Sequence, residues 1–142
     1  MATINLTART HHRPTDAIVR VLIVGLTLAT AAIHVSLGGL LFLANALGYA
    51  TFAVAMIVPG PLGQIRWLVR LGLLGFTAAT VGGWVLFGAR FPLAYLDKGI
   101  ELGLMIVIAI ESWRVDGGPI GIIRQARQLV GRLTGMQLTK GR

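Results

Sequence analysis

The chain has no cysteine and little charge. The missing cysteine excludes a disulfide framework, thiolate metal sites, c-type haem attachment and thiol redox chemistry. Charged residues make up 13% of the 142 residues, and only five are acidic; soluble domains carry roughly a quarter. There is no P-loop, zinc motif, Gly-x-Ser-x-Gly elbow or dinucleotide fingerprint. Aromatic residues are 7% and do not interleave with the basic ones as base stacking requires. Together these gaps exclude a soluble globular enzyme, a disulfide scaffold and a disordered tail. They leave no nucleic-acid partner and no soluble substrate.

What is present is apolar. Hydrophobic residues are 55% of the chain, the mean hydropathy is +0.77, and the apolar residues fall in long runs. The 19 glycines fit membrane helices, where glycine is commoner than in soluble ones. A spanning helix needs about 20 mostly apolar residues, and four segments qualify: 17–37, 39–58, 67–87 and 93–113. Gly38-Gly39, Pro59-Gly60-Pro61-Leu62-Gly63 and Gly88-Ala89-Arg90-Phe91-Pro92 separate them. These breaks carry turn chemistry and are too short for anything but antiparallel neighbours. The expected fold is all-α, a four-span transmembrane bundle running up-down-up-down over residues 17–113. A polar arm (1–16) precedes it and a basic tail (114–142) follows.

The net charge of +8 sets orientation. All thirteen basic residues except Arg90 and Lys98 fall before or in the first turn of the first span, around the second connection or after the last span. An even number of spans puts those three regions on one side. The positive-inside rule makes that side cytoplasmic, so both termini are expected inside a prokaryotic plasma membrane. A cleaved signal peptide ending near Ala29-Thr30-Ala31 is the competing reading, weakened because the apolar run continues past that point. In the tail, Ile122, Ile123, Ala126, Leu129, Val130 and Leu133 project within about 120° of one another on a helix. Arg124, Arg127 and Arg132 lie opposite. A basic amphipathic helix over 119–134, lying on the anionic membrane surface, is expected; packing on a partner subunit is the alternative.

Charge inside hydrocarbon needs a reason, since each group costs about 2.5–3.5 kcal/mol on insertion scales. The fourth segment carries Asp97, Lys98 and Glu101, with Lys98 three residues from Glu101 and able to pair with it. The first carries His34, with Thr27 and Thr30 on its face. Asn45 and Tyr49 share a face of the second, and Thr77, Thr80 and Trp84 share one of the third. With both termini inside, His34, Asn45, Trp84, Asp97 and Glu101 fall in the outer half of the bilayer, forming a candidate ligand-binding cluster if their faces converge. The competing use is interhelical hydrogen bonding. No titratable residue bridges the roughly 15 Å between Glu101 and Glu111 on this helix, so it is no proton wire by itself.

A bis-histidine haem needs two ligands and only His34 is intramembrane; His11 and His12 lie in the polar arm. A tetrapyrrole with His34 as its single axial ligand remains open, though no cofactor and no metal is required. Gly75, Ala79 and Gly83 repeat at four-residue spacing, and Gly99 and Gly103 form a Gly-x-x-x-Gly about 200° around the helix from Asp97. Such faces let helix backbones approach closely. Packing within the chain's own bundle is expected, and packing against a separate subunit is the alternative.

Ile33-His34-x-x-Leu37-Gly38, Leu41-Phe42-Leu43-x-Asn45-x-x-Gly48-Tyr49, Arg70, Trp84-x-x-x-Gly88-Ala89-Arg90 and Lys98-x-x-Glu101 resemble a group of uncharacterised small four-helix prokaryotic integral membrane proteins. The resemblance covers most of residues 17–113 and implies the fold and the membrane but no activity. The expected function is a non-catalytic accessory or structural subunit of a larger membrane complex, of the electron-transfer or photosynthetic kind, whose partners are the bilayer and other membrane subunits. The alternative is a stand-alone binder or carrier of a small molecule (quinone, tetrapyrrole or solute) using the outer cluster.

Overall fold

The computed structural model describes residues 14–59 and 65–139, without the side chains of residues 14, 119, 129 and 132–139. The arm up to residue 13 with His11 and His12, the connection over 60–64, and the Arg132 side chain lie outside this range. Among the described residues the fold is all-helical: α1 (Pro14–Leu37), α2 (Leu40–Ile57), α3 (Arg66–Phe87), α4 (Pro92–Asp116) and α5 (Gly118–Thr139). Three of them, α1 from Thr15, α2 and α3, are long and apolar enough to cross a membrane. The chain is a membrane protein.

Local chemistry sets the helix ends. Helix α1 starts at Pro14, whose missing N–H matters least in a first turn, with Asp16 placed to meet the positive end of the helix dipole. Gly38 and Gly39, at φ +67° and +83°, pass between α1 and α2 in two residues through backbone that favours glycine. Helix α4 begins at Pro92 and runs three residues beyond the Trp113 end expected from hydropathy. It stops where Gly117 takes a left-handed cap at φ +77°. Charged Arg114 and Asp116 hide that last turn from a hydropathy reading. Gly121 then lets α5 leave closely, because a Cβ there would overlap the Asp116 carbonyl oxygen.

The first four helices form a closed ring: α1 packs on α2, α2 on α3, α3 on α4 and α4 on α1, while α5 packs on α4. Ile23, Tyr49, Met56, Leu73, Leu104 and Ile108 meet at its centre. The bundle is inside-out relative to a soluble protein. Leu22, Leu28, Leu47, Val54, Leu71, Leu102, Ile106 and Ile110 are exposed, while Thr27, Thr30, His34, Arg70, Thr77, Asp97, Lys98, Glu101, Glu111 and Asp116 are buried. Thr27 and Thr77 donate their hydroxyls to the carbonyls of Ile23 and Leu73, each 2.7–2.8 Å away and one turn back.

The glycines do not act as their spacing suggested. A Cβ on Gly75, Gly83, Gly99 or Gly103 would meet nothing within 4 Å, so these positions with Ala79, itself exposed, do not bring helices of this bundle together. The close approaches are at Gly48 and Gly72. A Cβ on Gly48 would stand 2.5 Å from the Phe76 ring, and one on Gly72 would stand 3.0 Å from Phe52. Each glycine of the α2–α3 pair thus receives an aromatic ring from the other helix. The two rings also meet, 5.7 Å apart. Neither glycine belongs to a Gly-x-x-x-Gly pair, so spacing alone did not reveal them.

Candidate functional site: a buried polar cluster beside a cavity

The convergence that the sequence left open is present at the end of the bundle carrying the 38–39 turn and the 88–91 loop. Helix α4 supplies Asp97, Lys98 and Glu101, all buried. The Lys98 ammonium lies 2.6 Å from Glu101 Oε2 and 2.9 Å from Asp97 Oδ2, bridging the two carboxylates. From α2, the Tyr49 hydroxyl donates to Glu101 Oε1 at 2.8 Å, and Thr80 of α3 lies 2.8 Å from the same hydroxyl. With the tyrosine proton committed to the carboxylate, the single Thr80 proton is shared between the Tyr49 oxygen and the Thr77 carbonyl, each 2.8 Å away. One hydrogen-bond chain therefore ties α2, α3 and α4 together at a single level.

Helix α1 supplies His34, 2% exposed, with its ring 5.6 Å from that of Tyr49 and 6.0 Å from Phe42. Its Nδ1 is 2.9 Å from the Thr30 carbonyl oxygen. A carbonyl only accepts, so Nδ1 carries the proton. Nε2 faces Glu101 Oε1 at 4.0 Å. With the proton on Nδ1, Nε2 is the nitrogen that keeps a lone pair for an axial bond, and it is turned towards Glu101 in a residue only 2% exposed. Ligand atoms of His34, Asp97 and Glu101 lie within 4.8 Å of one another, the donor set of a small metal site. Lys98 takes the Oδ2 and Oε2 oxygens of the same two carboxylates and so already sets a positive charge beside that set.

The cluster borders a cavity of about 460 Å³, within the roughly 300–1,000 Å³ range of small-molecule sites. Leu37, Phe42, Phe76, Trp84, Phe87 and Ala94 make its apolar walls. Asn45, Thr80, Asp97, Lys98 and His34 contribute polar groups to the lining. Gly83 and Ala79 also line it, so two residues of the small-residue stripe leave space rather than close it. Two polar groups here lack partners. Asp97 Oδ1 is buried with no hydrogen bond, 3.6 Å from His34 Nδ1, and the half-buried Asn45 amide makes none among the described residues.

Of the five candidates, His34, Asp97 and Glu101 sit in the polar cluster and Asn45 faces the cavity. Trp84 stands apart from the hydrogen-bond chain, at the cavity wall. Its indole N–H donates to the Ala89 carbonyl at 3.0 Å, the Arg90 guanidinium lies 4.2 Å over its ring, and Tyr95 meets it edge-on at 5.2 Å. It braces the 88–91 loop. Lys98, Tyr49 and Thr80 carry as much of the site as the named residues. Spacing flagged each of them, but only the fold shows that they share partners.

A second buried ionic cluster occupies the opposite end. Arg70 of α3 grips Asp116 of α4 through two bonds, Nε to Oδ2 at 3.1 Å and Nη2 to Oδ1 at 2.6 Å, with Glu111 Oε1 3.6 Å from Nη1. Sequence reasoning placed Arg70 among the flanking charges and in the motif resemblance, without a partner. Its position past Trp67, inside an apolar run, was the available signal that it needed a buried partner. In the tail, Arg124 and Arg127 are exposed. Compared with protein-family models, curated proteins and solved structures, the chain matches none of them, and the motif resemblance therefore carries no family assignment.

Proposed function

We propose that the chain is a four-span bundle of a prokaryotic plasma membrane that binds a small lipophilic molecule in the cavity at the His34 end. The observation that carries the reading is a cavity of about 460 Å³ with aromatic and aliphatic walls and a few convergent polar residues, Asn45, Thr80, Asp97 and Lys98 among them. Apolar walls with few fixed polar points are the usual anatomy of a small-molecule site. Interhelical hydrogen bonding explains Tyr49, Thr80 and Glu101, but it leaves the space unexplained.

Helix α4 is the fourth span in this reading. Its charges keep it below the apolarity of the other three, yet all of them except Arg114 in the last turn are buried, while Leu96, Leu102, Ile106 and Ile110 face outward. A charge paired inside a bundle is compatible with a span. Both termini are cytoplasmic by the distribution of basic residues. Since there is no native cysteine, single cysteines report topology directly. One at Ala89 should react with an impermeant thiol reagent from outside intact cells, and one at Arg127 only after lysis. Helix α5 would lie on the inner surface, with Ile120 and Ile123 72% and 55% exposed beside Arg124 and Arg127.

The binding test is saturable uptake of a lipophilic fluorescent probe by the purified chain. One probe per chain is expected, lost in Gly83→Phe without a change in melting temperature. Equal, non-saturating partition into both proteins would overturn the reading. A second reading, an accessory subunit of a larger complex, draws on one observation. The glycines at 75 and 99 lie on the outside of the bundle with nothing against them, as a surface awaiting another helix would. Native mass after mild extraction separates the two readings: a particle near 15 kDa or a simple multiple against a large assembly.

A further inference from the structure

We infer that the ligand of this cavity is a flat, neutral, lipophilic ring bearing carbonyl or hydroxyl oxygens, a molecule of the quinone and hydroquinone class. The inference rests on the binding reading above and adds the chemistry of the occupant. Charge decides first. A cation drawn to Asp97 would stand beside the Lys98 ammonium, itself 2.9 Å from that carboxylate. The Trp84 face that could hold a cation already carries Arg90 at 4.2 Å. An anion would meet Asp97 and Glu101, two carboxylates sharing one lysine. A neutral molecule avoids both penalties, since an unpaired charge in a low-dielectric site is costly.

Hydrogen bonding decides next. An ammonium has three N–H donors, and two of Lys98's are directed at Asp97 and Glu101, leaving one on a residue that lines the cavity. The Asn45 amide, on α2, offers a donor and an acceptor and has no partner. Carbonyl oxygens on the ligand match the free donors, and hydroxyls match donors and acceptors alike, so both redox forms of one ring can be held.

Shape decides last. Phe42, Phe76 and Trp84 wall the space, and rings prefer offset or edge-on neighbours at 4.5–7 Å. The rim residues Leu41 and Phe87, 71% and 88% exposed, make an apolar mouth through which a hydrocarbon tail can trail into lipid.

The test uses the full chain in nanodiscs with Trp67 and Trp113 replaced by phenylalanine, so that Trp84 alone reports. A decyl-substituted benzoquinone should quench Trp84 saturably. Decylbenzene, which has the ring and tail without the oxygens, should compete about ten-fold or more less well, the equivalent of one to two net hydrogen bonds. Dodecanol, a hydroxyl without the ring, should also compete poorly. Asn45→Leu should bring the benzoquinone-to-decylbenzene ratio towards one at unchanged melting temperature, with Asn45→Ala as a second variant free of added bulk. Equal binding of benzoquinone and decylbenzene to the wild-type chain would overturn the oxygen recognition while leaving the cavity reading intact. Equal binding of dodecanol would overturn the ring requirement. Saturable binding of none of the three would overturn the cavity reading itself.

Discussion

Helix α4 carries two buried ionic clusters, one near each end, and they are built differently. At the Arg70 end, a guanidinium fork takes both oxygens of Asp116, with Glu111 close behind. At the His34 end, one ammonium is shared by two carboxylates, a tyrosine and a histidine complete the ring of partners, and a cavity opens alongside. The first cluster ties α3 to α4. The second ties α2, α3 and α4 together and stands beside a cavity that Asp97 and Lys98 line. Burial of charge is common to both, so it does not mark a binding site by itself. Both ends also keep a buried carboxylate oxygen without a hydrogen bond, Asp97 Oδ1 at one and Glu111 Oε2 at the other; what the His34 end adds is a cavity of about 460 Å³.

The strongest way to break this comparison is to remove the clamp. Arg70→Met leaves Asp116 and Glu111 buried without their cation and should cost about 3–5 kcal/mol, read as a fall in thermal stability in detergent. Arg70→Lys should recover only part of it, because an ammonium cannot reproduce the two-pronged grip. Full recovery with lysine would mean that the fork geometry is incidental.

Next is the link that unites the other cluster. Tyr49→Phe removes the hydroxyl between Thr80 and Glu101 and should cost about 1–3 kcal/mol by leaving a buried carboxylate oxygen short of a donor. A cost below a few tenths in the same assay would show that the chain of bonds from α3 to α4 is dispensable. Helix packing gives a paired test of similar or smaller size. Gly48→Ala pushes a methyl into the Phe76 ring and should destabilise by about 1–3 kcal/mol. Gly75→Ala and Gly99→Ala meet open space and should be neutral or stabilising by up to about 1 kcal/mol through helix propensity. If Gly99→Ala instead lowers the native mass, that face holds another chain.

The smallest effects on stability belong to the cavity. Asn45→Leu and Gly83→Phe should each stay within about 0.5 kcal/mol, because Asn45 makes no hydrogen bond in the described structure and Gly83 has open space before it. A large loss from either would show that the space is part of the folding core rather than a site.

Much of the fold was legible because its physics is local. Apolar runs of spanning length, Gly38-Gly39, Pro92 and the basic flanks are each read from neighbouring residues. The level shared by His34, Asn45 and Glu101 was legible too, from depth along antiparallel helices. The pairings were not. Tyr49 bonding to Glu101 spans 52 residues and Arg70 to Asp116 spans 46, and no spacing rule connects helices across a bundle. The glycine faces misled for the same reason: Gly75 and Gly99 have the right periodicity but the wrong rotation about their helices. Gly48 and Gly72 meet aromatic rings that periodicity does not record.

The measurement closest to the central claim is native mass spectrometry of the chain taken from its own membrane, wild type beside Gly83→Phe. The account predicts a lipophilic small molecule bound to the wild-type chain and absent from Gly83→Phe, with equal melting temperatures for the two ligand-free proteins. The same bound mass on both, or none on either, would contradict it.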